Sequence, residues 1–503
     1  MSYHSMQRGF SARPPSRAPD PLIQPNSWEF PSLFLLATTL AAADVWDWHA
    51  EDTLNIIAPI WLSLTLMGSA LQMAMAEKRA IWAPLFWYRV SATLSFGVGA
   101  IAPVIANSAT LLYMQEMYFF MPWDLQRVNL VSAVGVACVL GSALIFEKFR
   151  GPSGTPARKT QEIRPTRDTV RIGVGLFLIG ASVNYLVMLP ASLGLTNFVI
   201  PGFVMNVAAF ELVGVSTLAI WSFAKSTTAV ASLCGVVCVE SAIGLLMFNK
   251  TWALLPWLAF VIGALSYKLT FTRLAVAGVG LWLSFSFLQP WVSFAREQAA
   301  LLHVGDDEYK PSISERATVL ASYFDRRKSE SDPRDVQQSF ARLSSVNAAA
   351  FVISQYDHGI PGNSLRDALY FFIPRVLWPE KPALMTGYEL ATQTSGQVGN
   401  AITAGVYAEL YWNLGWIGLP LFLFPIGVFF NIATHFAAWV FQREDWTYLP
   451  LLFMNLKLGL ASEGWYVGII GMMAQCVALY FVLKFGGQAI RALGLLQPLK
   501  SSA

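Results

Sequence analysis

The segment IPRVLWPEKP, residues 373–382, combines two cations, a carboxylate and a tryptophan with three prolines. Because proline fixes φ, the segment loses little conformational entropy when it holds Arg375 and Lys381 in place. Arginine offers a planar fork that matches a phosphate group, and lysine adds a compact charge. Trp378 offers a flat face for a sugar ring, with Glu380 two residues further on. The segment predicts a phosphate site beside a sugar, or else a stiff loop with an interfacial tryptophan and solvated charges.

A second candidate, AGVYAELYWNLGWIGLP at residues 404–420, places one carboxylate among aromatic side chains just before an apolar helix. Partial desolvation of Glu409 at a membrane boundary would make it a better proton acceptor, so it is the candidate general base. Tyr411 and Asn413 are candidate substrate-binding residues beside it. The alternative is an ordinary glutamate at the edge of the membrane.

Further ionisable residues fall inside or at the end of apolar stretches, where they are functional candidates by default. Lys457 lies towards one end of such a stretch, and Glu463 follows at the turn. Asn184, Glu211 and Glu240 fall at similar depths in three successive stretches. Their common depth predicts either one polar pocket open to the outside or a hydrogen-bonded structural cluster.

Composition identifies the elements that must position these residues. The chain has 503 residues, of which 55% are hydrophobic and 13% charged, whereas a soluble domain carries about 25% charged residues. The sequence therefore predicts an all-α polytopic membrane protein with about twelve transmembrane helices. We place them near residues 28–45, 54–76, 84–107, 127–147, 172–190, 203–224, 228–248, 252–267, 270–290, 413–440, 447–462 and 465–483.

The distribution of lysine and arginine predicts the orientation of these helices. With the N-terminus in the cytoplasm, nearly all Lys and Arg of the short connections fall on the cytoplasmic side, and only Arg127 and Lys250 fall opposite. Both termini are then cytoplasmic, and a large, partly helical loop between helices nine and ten is extracytoplasmic. The predicted parts are a disordered basic tail (1–27), helices one to nine (28–290), the loop with the catalytic motifs (291–412), helices ten to twelve (413–483) and a cytoplasmic tail (484–503).

Several function classes lack their sequence signals. The chain has no HExxH, no acidic pair with metal spacing, no Walker motif and no glycine-rich nucleotide fingerprint. We therefore expect no metal, no cofactor and no nucleic-acid partner, and a lipid-bound substrate fits better than a soluble nucleotide.

The two motifs together resemble those of the bacterial Wzy-type polymerases of O-antigen and exopolysaccharide repeat units. In that family a segment like PR-x-LWP-x-KP follows a large periplasmic loop, and an E-x-Y-x-N-x-G-x-x-G segment opens a later membrane helix. The resemblance covers about 50 of the 503 residues. The matching residues are Pro374, Arg375, Leu377, Trp378, Pro379, Lys381 and Pro382, then Glu409, Tyr411, Asn413, Gly415 and Gly418.

The resemblance implies an integral-membrane class C glycosyltransferase of the bacterial inner membrane. It would join oligosaccharide repeat units carried on undecaprenyl pyrophosphate, as donor and acceptor, at the periplasmic face and without a metal. Arg375 and Lys381 would stabilise the departing pyrophosphate, with Lys457 as a third cation, and Glu409 would be the base. A chain-length regulator and a flippase of the same pathway are the expected protein partners.

Two other functions remain open from the sequence. A related O-antigen ligase would move finished glycan to another acceptor. A secondary transporter or flippase would share the twelve spans and could use Glu211 and Glu240 as proton relays, although the halves show no repeat.

Overall fold

The structure is a computed structural model of the whole chain. It describes residues 28–48, 53–106, 122–150, 165, 167–196, 200, 202–302, 311–329, 344–370, 373, 378, 380, 381, 385–395 and 401–492. These residues form helices joined by turns and short irregular segments, and no strand occurs among them. The all-helical prediction is confirmed for this part of the chain.

Besides the large loop, longer stretches separate consecutive helices at residues 106–121, 151–166 and 193–203, and the other connections are short. Their bounds are α1 Glu29–Val45, α2 Thr53–Ala76, α3 Pro84–Ile105, α4 Pro122–Arg150, α5 Arg167–Ser192, α6 Val204–Lys225, α7 Thr227–Leu246, α8 Lys250–Tyr267, α9 Phe271–Leu302, α10 Ile313–Ser329, α11 Val346–Asp357, α12 Thr386–Ser395, α13 Val406–Arg443, α14 Leu449–Leu460 and α15 Tyr466–Ala492.

Ten helices of the described chain are long and apolar enough to cross a membrane, as expected of a multi-pass membrane protein. They are α2 to α9, α13 and α15. Helix α1 has 17 residues and α14 only 12. At 1.5 Å per residue α14 is about 18 Å long, too short to cross a hydrocarbon core of about 30 Å unaided.

The bundle has two ends, which we name by the large loop. The loop side is the end at which α9 finishes and α13 begins, with residues 303–405 between them. On the opposite side, Glu29 at the start of α1 forms two hydrogen bonds with the buried guanidinium of Arg89, at 2.7 and 2.8 Å. This buried ion pair fixes α1 against α3.

Small residues allow the closest helix contacts. A Cβ added at Gly180 in α5 would lie 2.0 Å from the backbone nitrogen of Glu211, and one at Gly214 would lie 2.5 Å from that of Phe177. Helices α5 and α6 therefore touch backbone to backbone, as is common for membrane helices. Helix α13 packs along α4, and the two helices share a hydrophobic core with α1, α2 and α11.

Helix boundaries differ from the prediction at the large loop. Helix α13 begins at Val406 rather than at residue 413, and α9 continues to Leu302 rather than ending at 290. Glu409 and Tyr411 therefore lie in the first turns of a helix and not in the loop before it. Helix α13 is 38 residues long and bends at Gly415, whose φ of 60° breaks the helical conformation.

Candidate functional site

Glu409 is the centre of a buried polar contact on the loop side. Its side chain is fully buried, with 0% of its surface exposed. Oε1 accepts a hydrogen bond from Ser364 Oγ at 2.7 Å, and Oε2 accepts one from the backbone nitrogen of Tyr466 at 2.5 Å. Glu409 thus ties α13 to the large loop and to the first residue of α15.

Asn413 completes this contact one turn further along α13. Its amide nitrogen donates to Ser364 Oγ at 2.9 Å and to the carbonyl of Glu409 at 2.8 Å, while Oδ1 accepts from the backbone nitrogen of Leu365 at 3.3 Å. Two residues of the E-x-Y-x-N motif therefore hold the 3-10 helix Ser364–Leu369 in place. In this arrangement both are engaged by protein groups.

A charged cluster lies on another face of the same helix and is partly exposed. Arg127 at the start of α4 is hydrogen-bonded to Asp44 at the end of α1, and its Nε lies 3.4 Å from Asp357 Oδ2 at the end of α11. Its Nη2 donates to the Tyr411 hydroxyl at 3.0 Å, and that hydroxyl donates to Asp357 Oδ1 at 2.7 Å. We call Asp44, Arg127, Asp357 and Tyr411 the Arg127 cluster.

The charged side chains of this cluster are accessible. Arg127, Asp44 and Asp357 have side chains that are 24%, 31% and 35% exposed. A substrate on the loop side can therefore reach one cation and two carboxylates within a single group of contacts. This combination can bind a phosphate or hydroxyl and accept a proton.

Aromatic rings surround the Arg127 cluster. The guanidinium carbon of Arg127 lies 5.3 Å from the Trp416 ring centroid and 5.8 Å from that of Tyr411. Tyr356 packs against Tyr411 at 5.2 Å between ring centroids. A Cβ at Gly415 would lie 2.5 Å from the Tyr356 hydroxyl, so the bend in α13 makes room for this ring. Flat apolar faces beside hydroxyl-binding groups are typical of sites for sugars.

Comparisons of the chain with protein-family models, curated proteins and solved structures found no match. The chemistry of the site therefore has to be argued from its own geometry.

The structure describes only part of the IPRVLWPEKP segment. Arg375 lies outside the described residues. Lys381 is 9% exposed, and its Nζ donates to the carbonyl of Ile373 at 3.1 Å. Trp378 packs edge-on against Tyr370 at 5.7 Å and is 37% exposed, and Glu380 is exposed. The lysine is thus held by its own segment and the tryptophan by Tyr370 just before it, and the tryptophan contributes a partly exposed aromatic face.

Lys457 and Glu463 of LKLGLASEGW contact different parts of the protein. Lys457 lies in α14 beside Cys476 of α15. Glu463 lies in the turn before α15, where Ser95 of α3 hydrogen-bonds its carboxylate and Lys250 is close enough to interact electrostatically. Ser95 belongs to a π-helical segment, Thr93–Val98. Such segments are frequent at functional sites.

The structure brings Asn184, Glu211 and Glu240 together, as their depth predicted. Asn184 donates to Glu211 Oε2, and the carboxyl group of Glu211 lies close to that of Glu240. Each glutamate has at most 3% of its surface exposed. Tyr185 also hydrogen-bonds Glu240. This cluster joins α5, α6 and α7 and lies apart from the residues around α13.

Sequence reasoning missed three of the four members of the Arg127 cluster. Arg127 was noted only as one of two cations on the sparsely charged side, and Asp44 and Asp357 carried no motif. The available signal was the position of Arg127 on the side with few cations, because a cation that departs from the positive-inside rule is a candidate for a specific contact. Within the described residues, no three His, Cys, Asp or Glu side chains are grouped as metal ligands would be.

Proposed function

We propose that the chain is a polymerase of lipid-linked oligosaccharide repeat units, acting at the periplasmic face of the bacterial inner membrane. In this proposal α1 and α14 join the ten long helices to give twelve membrane segments, both termini are cytoplasmic and the loop side is periplasmic. The reaction is a glycosyl transfer from an undecaprenyl-pyrophosphate donor to an acceptor on the same lipid, and it needs no metal.

The Arg127 cluster is the observation that supports this proposal best. It sets one arginine between two carboxylates and against two aromatic rings, Tyr411 and Trp416, and is partly exposed on the loop side. Arginine suits phosphate, carboxylates suit sugar hydroxyls, and aromatic faces suit sugar rings. Moreover, Tyr411 belongs both to this cluster and to the motif that resembles the polymerases.

The bond that breaks in this reaction joins the anomeric carbon of the donor sugar to the lipid pyrophosphate. An acceptor hydroxyl attacks the anomeric carbon of the donor, its proton passes to a carboxylate, and the lipid pyrophosphate leaves with the bonding electrons. Direct displacement inverts the anomeric centre. Arg127, together with Arg375 and Lys381 of the IPRVLWPEKP segment, would stabilise the anionic leaving group.

Asp357 is our choice for the proton acceptor in the described conformation. It is partly exposed and accepts a hydrogen bond from Tyr411, whereas both oxygens of Glu409 are buried and occupied. Glu409, the base predicted from the motif, would then be a positioning residue that holds the loop against α13. It would become the base only if the contacts with Ser364 and Tyr466 opened.

Polymer length in cells tests the proposed function. We expect deletion of the gene to leave single repeat units in place of the long-chain ladder on a gel of surface and secreted glycans. Wild-type protein should restore the ladder, and Arg127→Gln should not, at equal protein level in the membrane. A deletion that leaves long polymer stranded on the lipid carrier would instead identify a ligase.

An unchanged ladder in the deletion strain would contradict polymerisation altogether. Transport would then be the remaining candidate, favoured by the buried Glu211–Glu240 pair. Collapse of the proton gradient should stop a proton-coupled transporter, whereas a glycosyltransferase in detergent should be unaffected by it.

A further inference from the structure

A large apolar cavity runs through the membrane part of the bundle. It has a volume of about 590 Å³ and lies between α2, α3, α8 and α9. On α9 its lining extends from Phe271 to Phe285, fourteen positions further along, which is about 21 Å of helix at 1.5 Å per residue. This is about two thirds of a hydrocarbon core of about 30 Å. The cavity is therefore long enough for an extended hydrocarbon chain.

The lining carries no charge. Every residue that lines the cavity is an aliphatic or aromatic residue, a methionine or a glycine. The indole nitrogen of Trp87, which might have made the wall polar, donates to the carbonyl of Ile81 at 2.7 Å instead. Such a surface favours an apolar occupant over water, because water needs polar partners.

The loop-side end of the cavity has a cation at its mouth. Phe285 lines the cavity, and the Nζ of Lys250 lies 5.5 Å from its ring centroid. The same Nζ donates to Gln289 Oε1 at 2.7 Å, one turn further along α9. The ring and the amide hold the ammonium group where the apolar wall ends. The Glu463 carboxylate is close enough to interact with it electrostatically.

The mouth is connected to the motif carboxylate by one short turn. Leu460 lines the cavity, and Glu463 follows it at the mouth. Three residues later, the backbone nitrogen of Tyr466 donates to Glu409. The same turn accepts a hydrogen bond from Thr403 Oγ1 at the carbonyl of Glu463, 2.8 Å away. The cavity therefore opens beside the turn that contacts Thr403 and the Glu409 carboxylate.

From these features we propose that the cavity binds the hydrocarbon chain of the lipid-linked substrate, with the lipid phosphate at Lys250. The proposal rests on the proposed function for the identity of the lipid, an isoprenoid phosphate. The length and apolar wall fit the chain, and the cation at the loop-side mouth fits the phosphate. A lipid bound in this way presents its headgroup on the side where the Arg127 cluster is exposed.

Two glycines on α9 allow a matched test. Gly278 lines the cavity, and a Cβ there would meet nothing within 4 Å; the same is true of Gly280, which does not line it. We expect Gly278→Phe to fill the cavity and to weaken binding of a fluorescent C55 isoprenoid phosphate at least tenfold. Gly280→Phe should bind as the wild type does. Binding is measured by titration of purified protein in detergent.

If Gly278→Phe fails to fold, the binding of a series of lipids to the wild-type protein still tests the proposal. We expect a C10 isoprenoid phosphate, with the same headgroup, to bind at least tenfold more weakly than the C55 lipid. The uncharged C55 alcohol should bind more weakly than the phosphate, and Lys250→Gln should remove that difference. An equal affinity for C10 and C55, or unaltered binding by folded Gly278→Phe, would overturn the proposal.

Competition with an ordinary diacyl phospholipid separates the two sources of a lipid phosphate. Full displacement of the isoprenoid lipid at equal concentration would mean that the cavity holds bulk membrane lipid, and would refute the substrate assignment. Because these measurements need no turnover, they are independent of the polymer ladder. Loss of the ladder with no binding in the cavity would refute only this inference, and binding with an intact ladder in the deletion strain would refute only the polymerase.

Discussion

Two polar sites on the first turns of α13 differ in their exposure to solvent. Glu409 is 0% exposed, and each of its oxygens accepts a hydrogen bond from another part of the protein. The second site is formed by Tyr411 of α13 and Arg127 of α4, which are hydrogen-bonded. The Arg127 side chain is 24% exposed and bridges two partly exposed carboxylates. One site is closed and satisfied, and the other is open and charged.

Under the proposed function, this difference assigns a different role to each of the two sites. A buried carboxylate with satisfied oxygens stabilises the packing of the segments around it, and its removal leaves unpaired donors. A partly exposed ion pair contributes little to stability but remains available to a ligand. The motif residue would thus position the loop, while the residues without a motif would meet the substrate.

Removal of the Glu409 carboxylate is expected to have the largest effect. Glu409→Ala leaves the Ser364 hydroxyl and the Tyr466 amide without their buried acceptor, at a cost of about 3 kcal/mol in the free energy of unfolding. We expect a lower Tm in detergent together with complete loss of chain extension. The comparison would fail if Glu409→Ala kept the wild-type Tm while activity was lost, because Glu409 would then act chemically.

Glu409→Gln sharpens this result because it is nearly isosteric. The amide retains one oxygen for Ser364 or Tyr466 but turns a donor towards the other, so we expect about 1–2 kcal/mol of destabilisation. Activity should fall in proportion to the folded fraction. An inactive Gln variant that is as stable as the wild type would restore Glu409 as the base.

Asp357→Asn is expected to have the next largest effect, and on rate alone. An amide cannot accept the acceptor's proton, and loss of a general base costs about 10²–10⁴ in rate. The rate of chain extension is measured with purified protein and lipid-linked repeat units extracted from the deletion strain. The matched control is Asp44→Asn, which also removes a carboxylate next to Arg127 but leaves the Tyr411 contact intact. Equal losses in the two variants would refute the assignment of Asp357 as the base.

Arg127→Gln comes third, with a loss of about 100-fold in rate, in the range found when one charge-stabilising donor is removed. Its cost to folding should stay below about 1 kcal/mol, because its ion pairs are partly exposed. Arg127→Lys keeps the charge but loses the planar fork, so partial activity is expected. A drop in Tm as large as that of Glu409→Ala would contradict the division between an open and a closed site.

The membrane architecture was predictable because hydrophobic length and charge act locally along the chain. The helical class and most long apolar helices follow from composition and from runs such as Thr53–Ala76. The start of α13 was not predictable in the same way. Val406–Leu414 is polar enough to resemble a loop, and it becomes helical because Ser364 and Tyr466 satisfy its carboxylate from distant parts of the chain.

The candidate site was predictable only where its residues are close in sequence. Glu409, Tyr411 and Asn413 share one motif in the first turns of one helix. Depth in the membrane correctly grouped Asn184, Glu211 and Glu240. The Arg127 cluster joins α1, α4, α11 and α13, with 284 positions between Arg127 and Tyr411. No local period or spacing encodes such a contact.

The smallest expected effect concerns the aromatic ring that holds Arg127 in place. The guanidinium carbon lies 5.3 Å from the centroid of the Trp416 ring, which is 39% exposed. A cation–π contact at such a site contributes about 1 kcal/mol, so Trp416→Leu should lower the rate about fivefold by loosening the arginine. Trp416→Phe retains a ring and should recover most of the rate. If instead Trp416→Leu equals Arg127→Gln in its effect, the ring itself contacts the substrate, and the open site extends from the charged residues onto the aromatic wall.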